Sequence, residues 1–315
     1  MREAKLLLQP DSPDLNSWLN WLIRQREKLL LFNQKYWGGF KRKEWLVNDD
    51  RNSKFFQQRA NNRRKRKLVV KLKDDCGMWI THQINIANKF ISNYSDRFSS
   101  MHRGARHFTD VSLRHAVSDS NNMELVTLPD KEEVRQALFA IDSNKTPGPD
   151  GFGAGFFKHY WYLIHEDLYQ CIFEFFRNGR LLKQINHTFI ALIPKIENPS
   201  QTHHFQPISL CSTVYKIIAK ILVNRLRPLL SKIISPVQST FVPGRSIHDN
   251  ILITHEIMHK FKVLKGKTEW VALKLDMEKA YDRLECDFIE ECLKRLGFHG
   301  KWIHWVMECI ATVSY

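Results

Sequence analysis

Lys145-Thr146-Pro147-Gly148-Pro149-Asp150-Gly151 constrains this chain more than any other stretch, because two prolines and two glycines stand within five residues. Proline removes a backbone N–H and glycine leaves the chain unrestrained, so no helix or strand runs through the segment. Regular elements have to lie on either side. Upstream, Asp130-Lys131-Glu132-Glu133 reads as a capping box that opens a helix ending near Ile141. Downstream, residues 155–178 form a long helical stretch rich in Phe, Tyr and Trp, which Gly179 stops. Thr188 to Ile193 reads as a strand ended by Pro194. Ser212 then caps a helix that turns Val214, Ile217, Ile218, Ile221 and Leu222 inward, with Lys216, Lys220, Arg225 and Arg227 on or near its polar side. A further helix begins near Asp249 and runs through His259.

The segment 270–277 changes period. Val271, Leu273, Leu275 and Met277 alternate with Trp270, Ala272, Lys274 and Asp276, the pattern of a half-buried strand. Asp276 falls at the C-terminal end of that strand, facing away from the apolar set, where charged groups often carry chemistry. The next helix places Phe288, Ile289, Cys292, Leu293 and Leu296 on one side, with Gly297 as its C-cap. Lys301 to Ile310 reads as one more helix, its tryptophans read as packing. At the other end, Ser12-Pro13-Asp14 starts a helix expected to reach about Tyr36. Residues 98–128 are polar and aperiodic and are expected to be a linker. The fold class is α+β, with a helical and basic region over 1–97 and a second domain over 129–315.

Lys and Arg number 48 against 33 Asp and Glu, a net charge of +15, which points to a polyanionic partner such as nucleic acid. The most basic part is 51–73, where Arg63, Arg64, Lys65, Arg66 and Lys67 are consecutive. Such a run neutralises phosphates and makes binding salt-sensitive. Beside this leading reading, it also reads as a nuclear import signal, which would put the protein inside the cell and in the nucleus, or as a solvated helix face. The six cysteines form no CxxC pair and read as buried thiols in a reducing compartment. No stretch approaches the ~18 apolar residues of a membrane span, and no membrane partner is expected.

Four segments, in order, resemble the reverse transcriptase of LINE-type (non-LTR) retrotransposons, especially the plant lineage. They are Lys145 to Phe152; Leu192-Ile193-Pro194-Lys195 with Pro207-Ile208-Ser209-Leu210-Cys211 and Tyr215-Lys216-Ile217-Ile218; Gln238 to Ile247 with Asp249-Asn250-Ile251; and Lys274-Leu275-Asp276-Met277-Glu278-Lys279-Ala280-Tyr281-Asp282-Arg283. Asp50-Arg51-Asn52-Ser53-Lys54-Phe55-Phe56 is similar to the stretch that precedes the polymerase in these elements. The resemblance implies the fingers and first half of the palm of a right-hand polymerase over 129–315, with thumb and remaining palm absent. It implies an RNA template, a DNA primer and dNTP as partners, and two Mg²⁺ ions as cofactors. Asp276 becomes the first metal-binding aspartate, and the backbone carbonyl of Met277 completes part of one metal's shell. Tyr281 packs under the sugar of the incoming dNTP, Lys195 and Gln206 meet the nucleotide, and Arg245 touches template or nucleotide. Without the resemblance, Asp276 is an ordinary strand-end residue, Tyr281 is core, and Lys195 and Arg245 are surface charges. Asp282 is read as structural.

The sequence also departs from the family. Gln206 stands where Arg usually precedes Pro-Ile-Ser-Leu, exchanging a charged fork for a neutral amide. Cys286 stands where Trp is usual, and Thr240 where a small residue is. The catalytic pair of the family reads aromatic-x-Asp-Asp. Asp49-Asp50 and Asp74-Asp75 both precede the fingers and follow Val47 and Leu72 instead of an aromatic residue. No such pair follows Asp276, so these 315 residues by themselves are expected to be an inactive polymerase fragment. Two other readings stay open: a non-catalytic nucleic-acid-binding remnant using 51–73, and a decayed element copy without cellular function.

Overall fold

The computed structural model describes Ser17 and residues 21–29, 68–99, 113–263, 271–276 and 280–315. The chain divides into two compact units, Met1–Leu72 and Lys73–Tyr315. In the first, residues 21–29 are helical, within the helix expected from Ser12 to Tyr36. The second unit carries the elements below.

It opens with a turn in which the Asp74 carboxylate accepts the N–H groups of Cys76 (3.0 Å) and Met78 (2.8 Å), while Asp75 pairs with Lys89. Both members of that Asp-Asp pair therefore have structural partners. Helix α1, Gln83–Phe98, buries Ile86, Phe90 and Tyr94. Phe90 meets Phe205 edge to face at 5.3 Å, and Phe98 stacks on Tyr315. Inside the stretch expected as a linker, α2 spans Asp119–Leu125, capped by Ser118. Val117 and Leu125 are fully buried there. Their apolar side chains are too sparse to give a helical period, so tertiary packing supplied the order that local pattern lacked.

Helix α3, Lys131–Phe139, starts where the sequence places it: Asp130 accepts the Glu133 N–H at 2.7 Å. The aromatic stretch divides at Tyr160 into α4, Ala154–His159, and α5, Trp161–Asn178. Gly179 closes α5 in a left-handed conformation (φ 70°), as a C-cap glycine does. An antiparallel ribbon follows, β1 (Phe189–Pro194) on β2 (Phe205–Leu210), the latter a strand not anticipated from the sequence. Then come α6, Thr213–Leu226, and α7, Ile247–Val263. The last helices are α8, Ala280–Arg283, α9, Cys286–Arg295, and α10, Gly300–Ala311.

The core forms where the apolar faces of α3, α5, α6 and α10 meet. Val134, Leu138, Ile172, Phe176, Ile217, Ile218, Ile221, Trp302 and Trp305 are essentially inaccessible. Burying each such side chain stabilises the fold by roughly 1.5–3 kcal/mol. Phe176 and Trp305 pack edge to face at 4.9 Å, so the C-terminal tryptophans are packing groups, as expected. One polar latch ties α2 to the α9–α10 turn: buried Asn122 donates to Gly297 O (2.7 Å) and accepts from His299 N–H (2.8 Å). Arg225 of α6 grips Glu133 of α3 through two charge-assisted bonds of 2.6 and 2.8 Å.

One expectation fails here. Residues 271–276 form no strand, and Val271, Leu273 and Leu275 are 84%, 78% and 83% exposed. Alternation makes a segment able to join a sheet, but a strand exists only with a ladder partner. Among the described residues none pairs with this one. The thiols are also less uniformly buried than expected: Cys309 is buried, Cys76 is exposed, and all six are free.

Candidate active site

Ser212 is the pivot around which the candidate residues are arranged. It lies two residues past β2 and caps α6, accepting the Tyr215 N–H (3.2 Å) and donating to Ile185 O (2.9 Å). The turn 145–151 packs directly on this pivot. Gly148 lies so close that a Cβ there would stand 2.5 Å from Ser212 N and 2.7 Å from Cys211 C. Gly151 turns the chain back with φ 75°, a conformation that favours glycine. Asp150 accepts the Phe152 N–H (3.1 Å), Thr213 Oγ1 donates to Phe152 O (2.7 Å), and Lys216 Nζ donates to Thr146 O (2.7 Å). Burial holds the Lys216 pKa below the usual lysine range, and the charge of Lys145 adds to that. The motif that no regular element can cross is thus fastened by α6's first turn.

The ribbon carries the next two candidates. Its register pairs Ile193 with Gln206 and Pro194 with Phe205, and Lys195 N–H donates to His204 O at 2.8 Å. Opposed residues, and those two further along, share a face of an antiparallel ribbon, so Lys195 and Gln206 lie on one face near its loop end. Both are exposed, and Phe205 between His204 and Gln206 is buried on the other side. A cation and an amide donor thus stand side by side on the surface, a pair that can meet an anionic ligand.

Arg245 is placed differently. Its guanidinium donates to the carbonyls of Ser235 and Gln238 (both 2.6 Å), Ile234 (3.1 Å) and Ser231 (3.4 Å). It staples the turn before α7, aided by Asn250 on Val237 O and Ser239 Oγ. Phe241 in that turn is 82% exposed with φ 64°, a residue the sequence reading passed over. Asp276 is exposed, and among the described residues no three His, Cys, Asp or Glu side chains come together to hold a metal. Tyr281 lies in α8. Asp282 pairs with Arg97 of α1 at 3.8 Å. Met277 and the run Arg63, Arg64, Lys65, Arg66 and Lys67 lie outside the described residues.

The unit is a mixed helix-and-strand one that carries these motifs in this order, and its residues 193–314 match the family of reverse transcriptases (RNA-dependent DNA polymerases). A transposon-derived protein is similar over most of the chain. The uncharacterized 149 kDa protein of transposon TX1 from Xenopus laevis is 28% identical over 281 residues, 87% of this chain and 21% of that protein. The chain is thus similar to the reverse transcriptases of non-LTR elements, and it spans about a fifth of the length of the relative it matches. That family works on a nucleic-acid template and primer and uses divalent metal ions. No described helix is long and apolar enough to cross a membrane.

Proposed function

We propose that this chain forms the fingers and first part of the palm of a right-hand polymerase, an RNA-directed DNA polymerase of a plant-like non-LTR lineage. The observation that carries the reading is the family match over 193–314, a span that includes Lys195, Gln206, Arg245, Asp276 and Tyr281. In this reading the turn 145–151 and the β1–β2 ribbon form the fingers surface, and the segment leading to Asp276 belongs to the palm. Lys195 brings positive charge to the triphosphate of a dNTP. Gln206 offers an amide where a guanidinium is usual, a loss of some transition-state stabilisation. Tyr281 lies under the sugar. Asp276 supplies one hard oxygen ligand. Two Mg²⁺ ions need further carboxylates, and the described residues do not bring them to it. Arg245 acts on this surface through the turn it staples.

Primer extension and hybrid binding test the proposal together. The 315-residue polypeptide is expected to bind a poly(rA)/oligo(dT) hybrid with an affinity that falls as salt rises, and to incorporate no dTTP with Mg²⁺. Absence of hybrid binding at low salt would sink the reading. Clear incorporation, abolished by Asp276→Ala, would show that one carboxylate suffices. The run Arg63 to Lys67 favours a second reading, a nucleic-acid-binding module without catalysis that also carries a nuclear import signal. Neutralising those five residues removes the salt dependence under that reading and leaves hybrid binding under the first.

A further inference from the structure

The loop from Lys195 to His204 is held by a histidine. Its base is closed by the main chain, Lys195 N–H to His204 O (2.8 Å) and His204 N–H to Gln201 O (3.1 Å). The imidazole then turns into the loop, and its Nδ1 accepts two backbone N–H groups, Ser200 at 3.1 Å and Gln201 at 3.3 Å. Asn198 in the same loop has φ 56°, a left-handed conformation that asparagine adopts more readily than most residues other than glycine. Ser200 O in turn receives the Lys73 N–H at 2.7 Å, so the loop docks onto the opening turn of the unit.

An Nδ1 that accepts carries no proton. Protonation turns it into a third donor facing two N–H groups, which then lose their acceptor and one another's shared partner. We propose that His204 is a pH-sensitive clasp and a positioning residue: unprotonated it holds the 196–203 loop, and with it Lys195, in the conformation described; protonated it lets the loop go. The charged groups on the surrounding elements are His203 beside it, Lys195 and Glu197 in the loop, Lys73, Asp74 and Asp75 in the opening turn, and Lys89, Asp96 and Arg97 on α1. Partial burial of the ring, and after it the charge of His203 with its ring 4.3 Å away, hold the His204 pKa below the usual histidine value. The sign follows from that direction. A depressed histidine contributes stability above its unfolded value, about 6.5, and loses it as the pH falls further. The consequence for nucleotide binding rests on the role of Lys195 proposed above; the clasp itself does not.

Amide exchange by NMR on the whole chain tests the clasp without any catalytic readout. At pH 7.5 the His204 ring nitrogens are expected to show the neutral tautomer protonated at Nε2. Protection of the Ser200 and Gln201 amides, corrected for intrinsic exchange, is expected to fall severalfold, and at most about tenfold, by pH 5.5, because a group with an unfolded pKa of about 6.5 contributes no more than about a factor of ten one pH unit below it. His204→Asp keeps an acceptor that stays ionised down to about pH 4, so its protection is expected to be flat over the same range. His203→Gln is expected to keep the pH dependence. Equal protection of wild type at both pH values overturns the proposal without need of any variant. A drop that persists in His204→Asp also overturns it.

Discussion

Gly148→Ala isolates the contact on which the candidate site is assembled. The added Cβ would stand 2.5 Å from Ser212 N, 2.6 Å from Ser212 Cα and 2.7 Å from Cys211 C. Carbon contacts are comfortable at roughly 3.5–4.0 Å, so about 1 Å of separation has to be made. All three obstructing atoms are backbone, at the junction of β2 and α6, and they do not swing aside as a side chain does. The turn must move instead. That movement strains or breaks the Lys216–Thr146 and Thr213–Phe152 hydrogen bonds, both 2.7 Å. A neutral bond contributes roughly 0.5–1.5 kcal/mol and one from a charged donor roughly 1.5–3. The expected destabilisation is therefore about 2–4 kcal/mol. Urea unfolding followed by tryptophan fluorescence, at low protein concentration, reads it as a lower midpoint at unchanged slope. Gly300→Ala is the control. Nothing lies within 4 Å of its added Cβ and its φ is not left-handed, so it should stabilise by about 0.4–1 kcal/mol. A Gly148→Ala midpoint equal to wild type would refute the view that the 145–151 turn is fastened to the start of α6.

Two further outcomes follow from buried groups. Asn122→Leu removes the latch between α2 and the α9–α10 turn, leaving Gly297 O and His299 N–H without it; about 2–4 kcal/mol of stability should go, read from the same urea midpoint. Cys309 is buried and its thiol is pushed up to about 12 by that burial, so it should resist iodoacetamide in the native protein at pH 8. Exposed Cys76 should be alkylated first, and peptide mass mapping against time would show the order.

What sequence alone determined about this protein is what short-range physics controls. Asp130 and Ser212 cap the helices expected of them, because an acceptor oxygen before an apolar-periodic run has orphan N–H groups within reach. Gly179 and Gly297 end helices at positive φ, because little but glycine enters that region without strain. The order of the family motifs was legible too, since it is carried by residue identity. Tertiary structure decided the rest, and in each case the missing quantity was a partner. Val271, Leu273 and Leu275 alternate as a strand does, yet no described strand pairs with them, and the segment carrying Asp276 stays outside the sheet. Residues 113–128 lack a period but are ordered by burial of Val117, Asn122 and Leu125. That Arg245 closes a turn was not legible either, because four carbonyls lie where its guanidinium points only once the turn has formed. His204 showed no local signal at all; its role exists only once a loop folds back and puts two N–H groups in front of its ring.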